Sequence, residues 1–145
     1  MQQALVDTSV LIAGTFEKDD NHERGLELLR GFDRGKLPRG VVPTPMLKEL
    51  LDFTLERKSP EDAEDVLDRL QESGGFEIVY PARGDFERGK LLFRKHADLG
   101  LADGMLVGLA ERTETRYVFS FDDDFDDPGG VTRLNSAVNP YDSSE

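Results

Sequence analysis

Four acidic residues stand where a carboxylate in apolar surroundings needs a chemical reason. Asp103 is the one acid in the body of Leu99 to Arg112, LGLADGMLVGLAER, a run so apolar that a helix there must be buried. A carboxylate in its first turn then needs a partner that offsets desolvation. Asp7 follows the apolar run Ala4 to Val6, Glu49 lies one turn into a helix predicted from Thr44, and Asp122 follows the strand candidate Tyr117 to Phe119. Brought close together, these four would raise one another's pKa values and hold some in the protonated form, unless a cation came between them. Carboxylates and water without imidazole or thiolate select Mg²⁺ or Mn²⁺ over zinc. One or two such ions activate a water and stabilise the leaving oxygen in phosphodiester hydrolysis, with no protein nucleophile. Asp124 is placed to add a ligand or to orient the attacking water.

Each acid also has a plainer reading. Asp7 can cap the helix that follows its strand, and Glu49 can be an exposed acid favoured by the helix dipole. Asp103 can cap a helix starting at Gly104, and Asp122 and Asp124 can be solvated loop acids like Asp126 and Asp127. Capping and ligating are compatible roles.

The elements that must position these acids follow from apolar spacing and punctuation. Residues 3–7 read as a strand ending in an acid, with Thr8 and Ser9 as caps for a short helix over Val10 to Ala13. Leu26, Leu29 and Phe32 recur at helical spacing, and Val41–Val42 mark a small strand. Thr44 followed by Pro45 is a helix start, with the threonine as cap, and the helix runs to about Arg57 with Glu49 beside Phe53. Ser59–Pro60 opens another helix, ended by Gly74–Gly75, and Phe76 to Tyr80 is a strand. The next helix, through Phe86, Leu92, Phe93 and Ala97, carries Arg83, Lys90 and Arg94 on one locally basic side, a candidate contact for an RNA backbone or simply a solvated face. His22 and His96 read as helix-surface or packing residues. A last apolar run lies near Val131, and the tail 135–145 is polar and expected to be poorly ordered apart from Val138 and Tyr141. Strands separated by helices without hairpin signals argue for a parallel sheet flanked by helices, whose ligands sit beyond the carboxyl ends of the strands.

Composition bounds the chemistry. At 145 residues the chain is sized for one domain, and with no cysteine it has no disulfide, thiolate zinc site or cysteine nucleophile. The two histidines form no HExxH-type pattern, and no stretch approaches a membrane span. The expectation is a cytoplasmic protein with no membrane partner. A net charge of −12 is spread along the chain, a solubility device of halophiles that suggests a salt-rich archaeal cytoplasm, although an ordinary acidic protein reads the same way. Either way, binding that rests mainly on phosphate neutralisation is disfavoured, so any nucleic-acid contact must be local.

The ordered set DTSVLI (7–12), PMLKELLD (45–52), GLADGMLVGLAER (100–112) and SFDDDFDD (120–127) resembles the PIN domain family, notably the toxin ribonucleases of type II toxin-antitoxin systems. The resemblance spans about residues 3–134 and implies a three-layer α/β/α sandwich with a central, mainly parallel twisted sheet, with residues 1–134 as the nuclease domain. It further implies that Asp7, Glu49, Asp103 and Asp122 surround Mg²⁺ or Mn²⁺ and that Ser9 and Ser120 line the site. The implied activity is RNA cleavage by a homodimeric toxin silenced by an antitoxin. Competing readings are a stand-alone nuclease of RNA processing, a catalytically silent partner-binding module, and a phosphatase of the haloacid dehalogenase type. The last needs a second Asp two residues after the first, where this chain has Ser9.

Overall fold

The computed structural model describes residues 2–142, so 143–145 of the expected tail lie outside the described residues. Five strands, β1 (Gln3–Val6), β2 (Arg39–Pro43), β3 (Phe76–Val79), β4 (Tyr117–Phe119) and β5 (Thr132–Leu134), form one sheet in the order β3-β2-β1-β4-β5. Every neighbouring pair is parallel. The inner strands are buried without alternation: Ala4, Leu5 and Val6 of β1, Val41 and Val42 of β2, and Val118 and Phe119 of β4 are all in the core. That pattern is what a parallel sheet covered on both faces requires. The inner strands are partly exposed only at their first residues, Gln3, Arg39 and Tyr117, whereas the edge strands β3 and β5 carry exposed or partly exposed positions further along.

Six helices connect the strands: α1 (Thr8–Thr15), α2 (His22–Asp33), α3 (Thr44–Arg57), α4 (Pro60–Glu72), α5 (Arg83–Lys95) and α6 (Leu101–Arg112). The chain winds outward from β1 through β2 to β3, then returns past β1 to β4 and β5. Right-handed crossovers therefore set α1 to α4 on one face and α5 with α6 on the other, the expected three-layer sandwich. The winding reverses between β1 and β4. There Val6 pairs with Phe119, and the Asp7 amide donates to the Phe119 carbonyl at 3.0 Å.

Three helix starts differ from the expected ones. Helix α1 is capped by Asp7, whose carboxylate accepts from the Ser9 amide, so Thr8 and Ser9 lie inside the helix and not at its cap. Asp wins because its side chain extends from the strand end directly over the first turn. Helix α3 is capped by Pro43, which places Thr44 as its first residue and frees the hydroxyl-bearing residues nearby for other work. Helix α6 begins at Leu101 after Gly100, so Asp103 sits within the first turn and is not a cap before Gly104. The tail is partly tied down: the Tyr141 hydroxyl donates to the Gln3 carbonyl at 2.7 Å and its ring meets Tyr117 edge-on, whereas Val138 is exposed.

Helix α6 is held against α5 by close backbone approach. A Cβ on Gly104 would lie 2.7 Å from the Gly89 carbonyl oxygen, and one on Gly108 would lie 2.9 Å from that of Asp85. The far end of α6 is clamped where Asp85, 1% exposed, accepts both Nε (2.8 Å) and Nη2 (2.9 Å) of Arg112 as well as the Ala82 amide at 2.7 Å. Burial pushes Asp85 up, but the Arg112 hydrogen bonds and charge, with the Ala82 amide, outweigh it and hold the carboxyl below its ordinary value. The helix that carries Asp103 is thus fixed at one end by an ion pair and along its length by small residues. Gly108→Val should destabilise the protein by about 1–3 kcal/mol, read as a lower midpoint in urea or thermal unfolding, because the added methyls meet backbone that has no rotamer to yield. An unchanged midpoint would show that α5 and α6 are not in this contact.

Candidate active site

The carboxyl end of β1 with the first turns of α1, the loop after β4, the middle and end of α3 and the first turn of α6 line an open cleft of about 520 Å³. Asp7, Ser9, Glu49, Asp103 and Asp122 all line it. The topology brings them there. Leu5 of β1 pairs with Val41 of β2, so two residues further Asp7 is level with Pro43, from which α3 starts. Ser120 follows Phe119 on the other side of Asp7 and is fully buried.

Three of the four carboxylates are oriented through one of their oxygens. Asp7 Oδ2 accepts from Ser9 Oγ at 2.7 Å, from Ser120 Oγ at 2.8 Å and from the Ser9 amide at 3.4 Å, while Oδ1 has no donor among the described residues. Glu49 Oε1 accepts from Thr8 Oγ1 at 2.9 Å, and Asp122 Oδ1 accepts from the Asp124 amide at 2.9 Å, each leaving its second oxygen open among the described residues. Neither oxygen of Asp103 is engaged by a donor among the described residues. The serine pair is itself tied to the loop: Ser9 Oγ accepts the Phe121 amide at 3.0 Å and Ser120 Oγ the Asp122 amide at 2.9 Å. The loop is pinned by Phe125, which is fully buried.

Burial and crowding keep two of these acids from ionising readily. Asp7 is pushed up by burial, with a smaller push from Asp122, against the lowering effect of the serine hydrogen bonds. Asp103 is pushed up to about 8 by burial first, then by the charges of Asp7, Glu49, Asp122 and Asp124. Among the described residues nothing basic lines the cleft to offset them. The donor set, carboxylate oxygens with hydroxyls and without imidazole, fits Mg²⁺ or Mn²⁺, and the open oxygens come from four separate segments.

Asp124 does not line the cleft, but its carboxylate lies with those of Asp122 and Asp123 in a trio whose oxygens come within 4.8 Å of one another, and its charge reaches Asp103. No other such trio exists among the described residues, so the carboxylate oxygens of Asp7, Glu49 and Asp103 do not all lie within 4.8 Å of one another. Arg83, Lys90 and Arg94 lie along α5 and none lines the cleft; Lys90 is paired with Glu87 at 3.0 Å. His22 Nδ1 bonds the Ala13 carbonyl at 2.7 Å and His96 Nδ1 bonds Asp127 at 2.9 Å, both outside the cleft.

Five further residues line the site, among them Ile12 of α1. Thr8, which orients Glu49, reads in the sequence only as a helix-start hydroxyl. Asp52, Phe53 and Glu56 line the α3 wall. Their signal was available, since positions three, four and seven after Glu49 share its helix face.

The raised Asp103 value has a consequence for stability. Its folded-state value lies above the ordinary 3.8, so the folded protein binds the extra proton, and the stabilisation is complete below about 4 and lost as pH rises through about 8. In chelator, Asp103→Asn should therefore gain melting temperature relative to wild type as pH rises from about 5 to about 8, with the difference level above that, and added Mn²⁺ should raise the wild-type melting point most at the alkaline end. Melting curves that run parallel across this range would contradict the assignment.

The comparisons with known proteins agree with this architecture. The PIN domain family model matches residues 4–131. No curated protein sequence matches significantly. Among solved structures, the chain is similar to Mycobacterium tuberculosis VapC20, a Sarcin-Ricin loop cleaving toxin, with a TM-score of 0.74, 17% identity and coverage of 87% of this chain and 95% of that one. DNA-bound VapBC from Salmonella typhimurium matches with a TM-score of 0.69 and 18% identity over 92% of this chain and 98% of that one. A toxin-antitoxin complex from Klebsiella pneumoniae matches with a TM-score of 0.61 and 18% identity over 94% and 98%. At these identities the structures attest the fold, while the family model extends over most of the chain: the protein belongs to the PIN domain family.

Proposed function

We propose that the protein is a Mg²⁺- or Mn²⁺-dependent endoribonuclease, acting as the toxin of a toxin-antitoxin pair. The observation that carries this reading is the convergence of Asp7, Glu49, Asp103 and Asp122 on one cleft, three of them held by one oxygen with the other left open. A divalent cation in such a site supplies an activated water and neutralises the departing oxygen of a phosphodiester. Asp7, Glu49, Asp103 and Asp122 would hold it. Ser9 and Ser120 keep Asp7 from rotating, Thr8 does the same for Glu49, and both are set before substrate arrives. Burial and the neighbouring acids push Asp103 up to about 8, so holding a cation there would be coupled to loss of its proton. Asp124, beside Asp122, is assigned to orienting the attacking water.

RNA as substrate and an antitoxin as partner draw support from the similar structures, one described as a Sarcin-Ricin loop cleaving toxin and one as a toxin-antitoxin complex. A homodimer belongs to the same reading, with the exposed Phe86, Leu91 and Phe93 of α5 as apolar area available for it. No helix among the described residues is long and apolar enough to cross a membrane. The test is cleavage of total RNA by wild type and Asp103→Asn, with and without Mn²⁺, in potassium-rich buffer. Wild type should cleave only with metal, and Asp103→Asn should lose about 100-fold or more of that activity while keeping its fold. Undiminished metal-dependent cleavage by the variant would overturn the assignment.

A further inference from the structure

A protein of net charge −12 whose cleft is lined by Asp7, Glu49, Asp52, Glu56, Asp103 and Asp122 must still admit a polyanion if it cleaves RNA. Long-range attraction is unavailable, so the substrate's phosphates need cations placed beside the cleft itself. Many basic side chains are neutralised by acids: Arg112 by Asp85, Arg133 by Asp126, Lys48 by Asp52 and Lys90 by Glu87. Arg24, Arg57 and Lys58 are different. None has a carboxylate within 4.0 Å among the described residues, and each lies over an aromatic ring.

All three rings belong to the cleft or touch residues that line it. Phe53 lines the α3 wall, and the Arg57 guanidinium lies 4.6 Å from its centroid. Phe16 meets Phe53 edge-on at 4.9 Å, and Lys58 Nζ lies 5.6 Å from the Phe16 ring. Phe121 stands between Ser120 and Asp122, its amide donates to Ser9, and Arg24 lies 4.9 Å from its centroid. Stacking on a ring fixes where a cation sits without cancelling its charge, which a salt bridge would do.

We propose that Arg24, Arg57 and Lys58 form a backbone track for single-stranded RNA, two cations at the α3 wall and one at the β4 loop. The inference rests on the ribonuclease reading above and assigns its substrate contacts. Single-stranded RNA is favoured because its strand can bend from one wall to the other and its unstacked bases can lie on the guanidinium planes.

The test measures anisotropy of a short fluorescent single-stranded RNA with the full chain carrying Asp103→Asn, in Mg²⁺. Adding Arg24→Ala, Arg57→Ala and Lys58→Ala should weaken binding about tenfold or more and flatten the slope of log affinity against log salt by about 2, near 0.7 per lost phosphate contact. The charge-conserving set Arg24→Lys, Arg57→Lys and Lys58→Arg should keep the salt slope of the parent, which separates lost charge from lost fold. Arg83→Ala, Lys90→Ala and Arg94→Ala together should leave affinity unchanged. The track is overturned if the alanine set binds as tightly as its parent, if the α5 set carries the loss, or if the parent binds no RNA. A wild-type chain that binds RNA through these cations and does not cleave it would refute hydrolysis and leave the track standing. One that cleaves with a KM unmoved by the alanine set would refute the track alone.

Discussion

Everything in this molecule is arranged around the cost of holding like charges together away from bulk water. Four carboxylates from distant parts of the chain share one cleft, and burial with mutual repulsion drives Asp103 up to about 8. Such an arrangement is unfavourable on its own and persists only because the rest of the fold fixes the segments that bring the acids there. Helix α6 cannot retreat from the cleft, since Gly104 and Gly108 lie against α5 backbone and Arg112 is clamped on Asp85. Asp7 cannot swing away, because three donors hold one of its oxygens.

The sheet order explains why the meeting point lies where it does. With β1 at the centre and the winding reversed between β1 and β4, the connections leave on opposite faces and open a crevice at the carboxyl ends of these strands. Asp7 and Asp122 line it from these two strand ends, α3 closes a third side through Glu49, and the first turn of α6 delivers Asp103 from the opposite layer. The serines are structural and electrostatic at once: they satisfy one oxygen of a buried carboxylate and couple it to the Phe121–Asp122 loop. One displaced residue in that loop would loosen two of the four acids together.

Much of this was legible in the sequence, for identifiable reasons. An acid in an apolar run is costly, so Asp103 stood out, and Asp7 and Asp122 stood out by following strands. The parallel sheet followed from helices intervening between most of the apolar runs and from the lack of hairpin signals. Helix starts were harder. Asp7, Thr8 and Ser9 are all good caps, and only the strand direction decides that Asp7 takes the position. Thr8 was hidden as an orienting group because its partner, Glu49, is 41 residues away. The basic residues divide for a similar reason: spacing along α5 groups Arg83, Lys90 and Arg94 on one face, yet says nothing of how far that face is from the cleft. Lys90 of that face is paired with Glu87, and none of the three lines the cleft. Arg24, Arg57 and Lys58 come from α2 and the end of α3, and only packing sets each above an aromatic ring.

The central claim is that the cleft exists to hold a divalent cation, and the most direct measurement is a Mn²⁺ titration followed by the electron paramagnetic resonance signal of the free ion. Above about pH 8, where Asp103 is ionised, wild type should remove at least one Mn²⁺ per chain from solution, and Asp7→Asn should remove none at the same concentrations. A free-ion signal that grows identically with wild type, with the variant and with buffer alone would contradict the account.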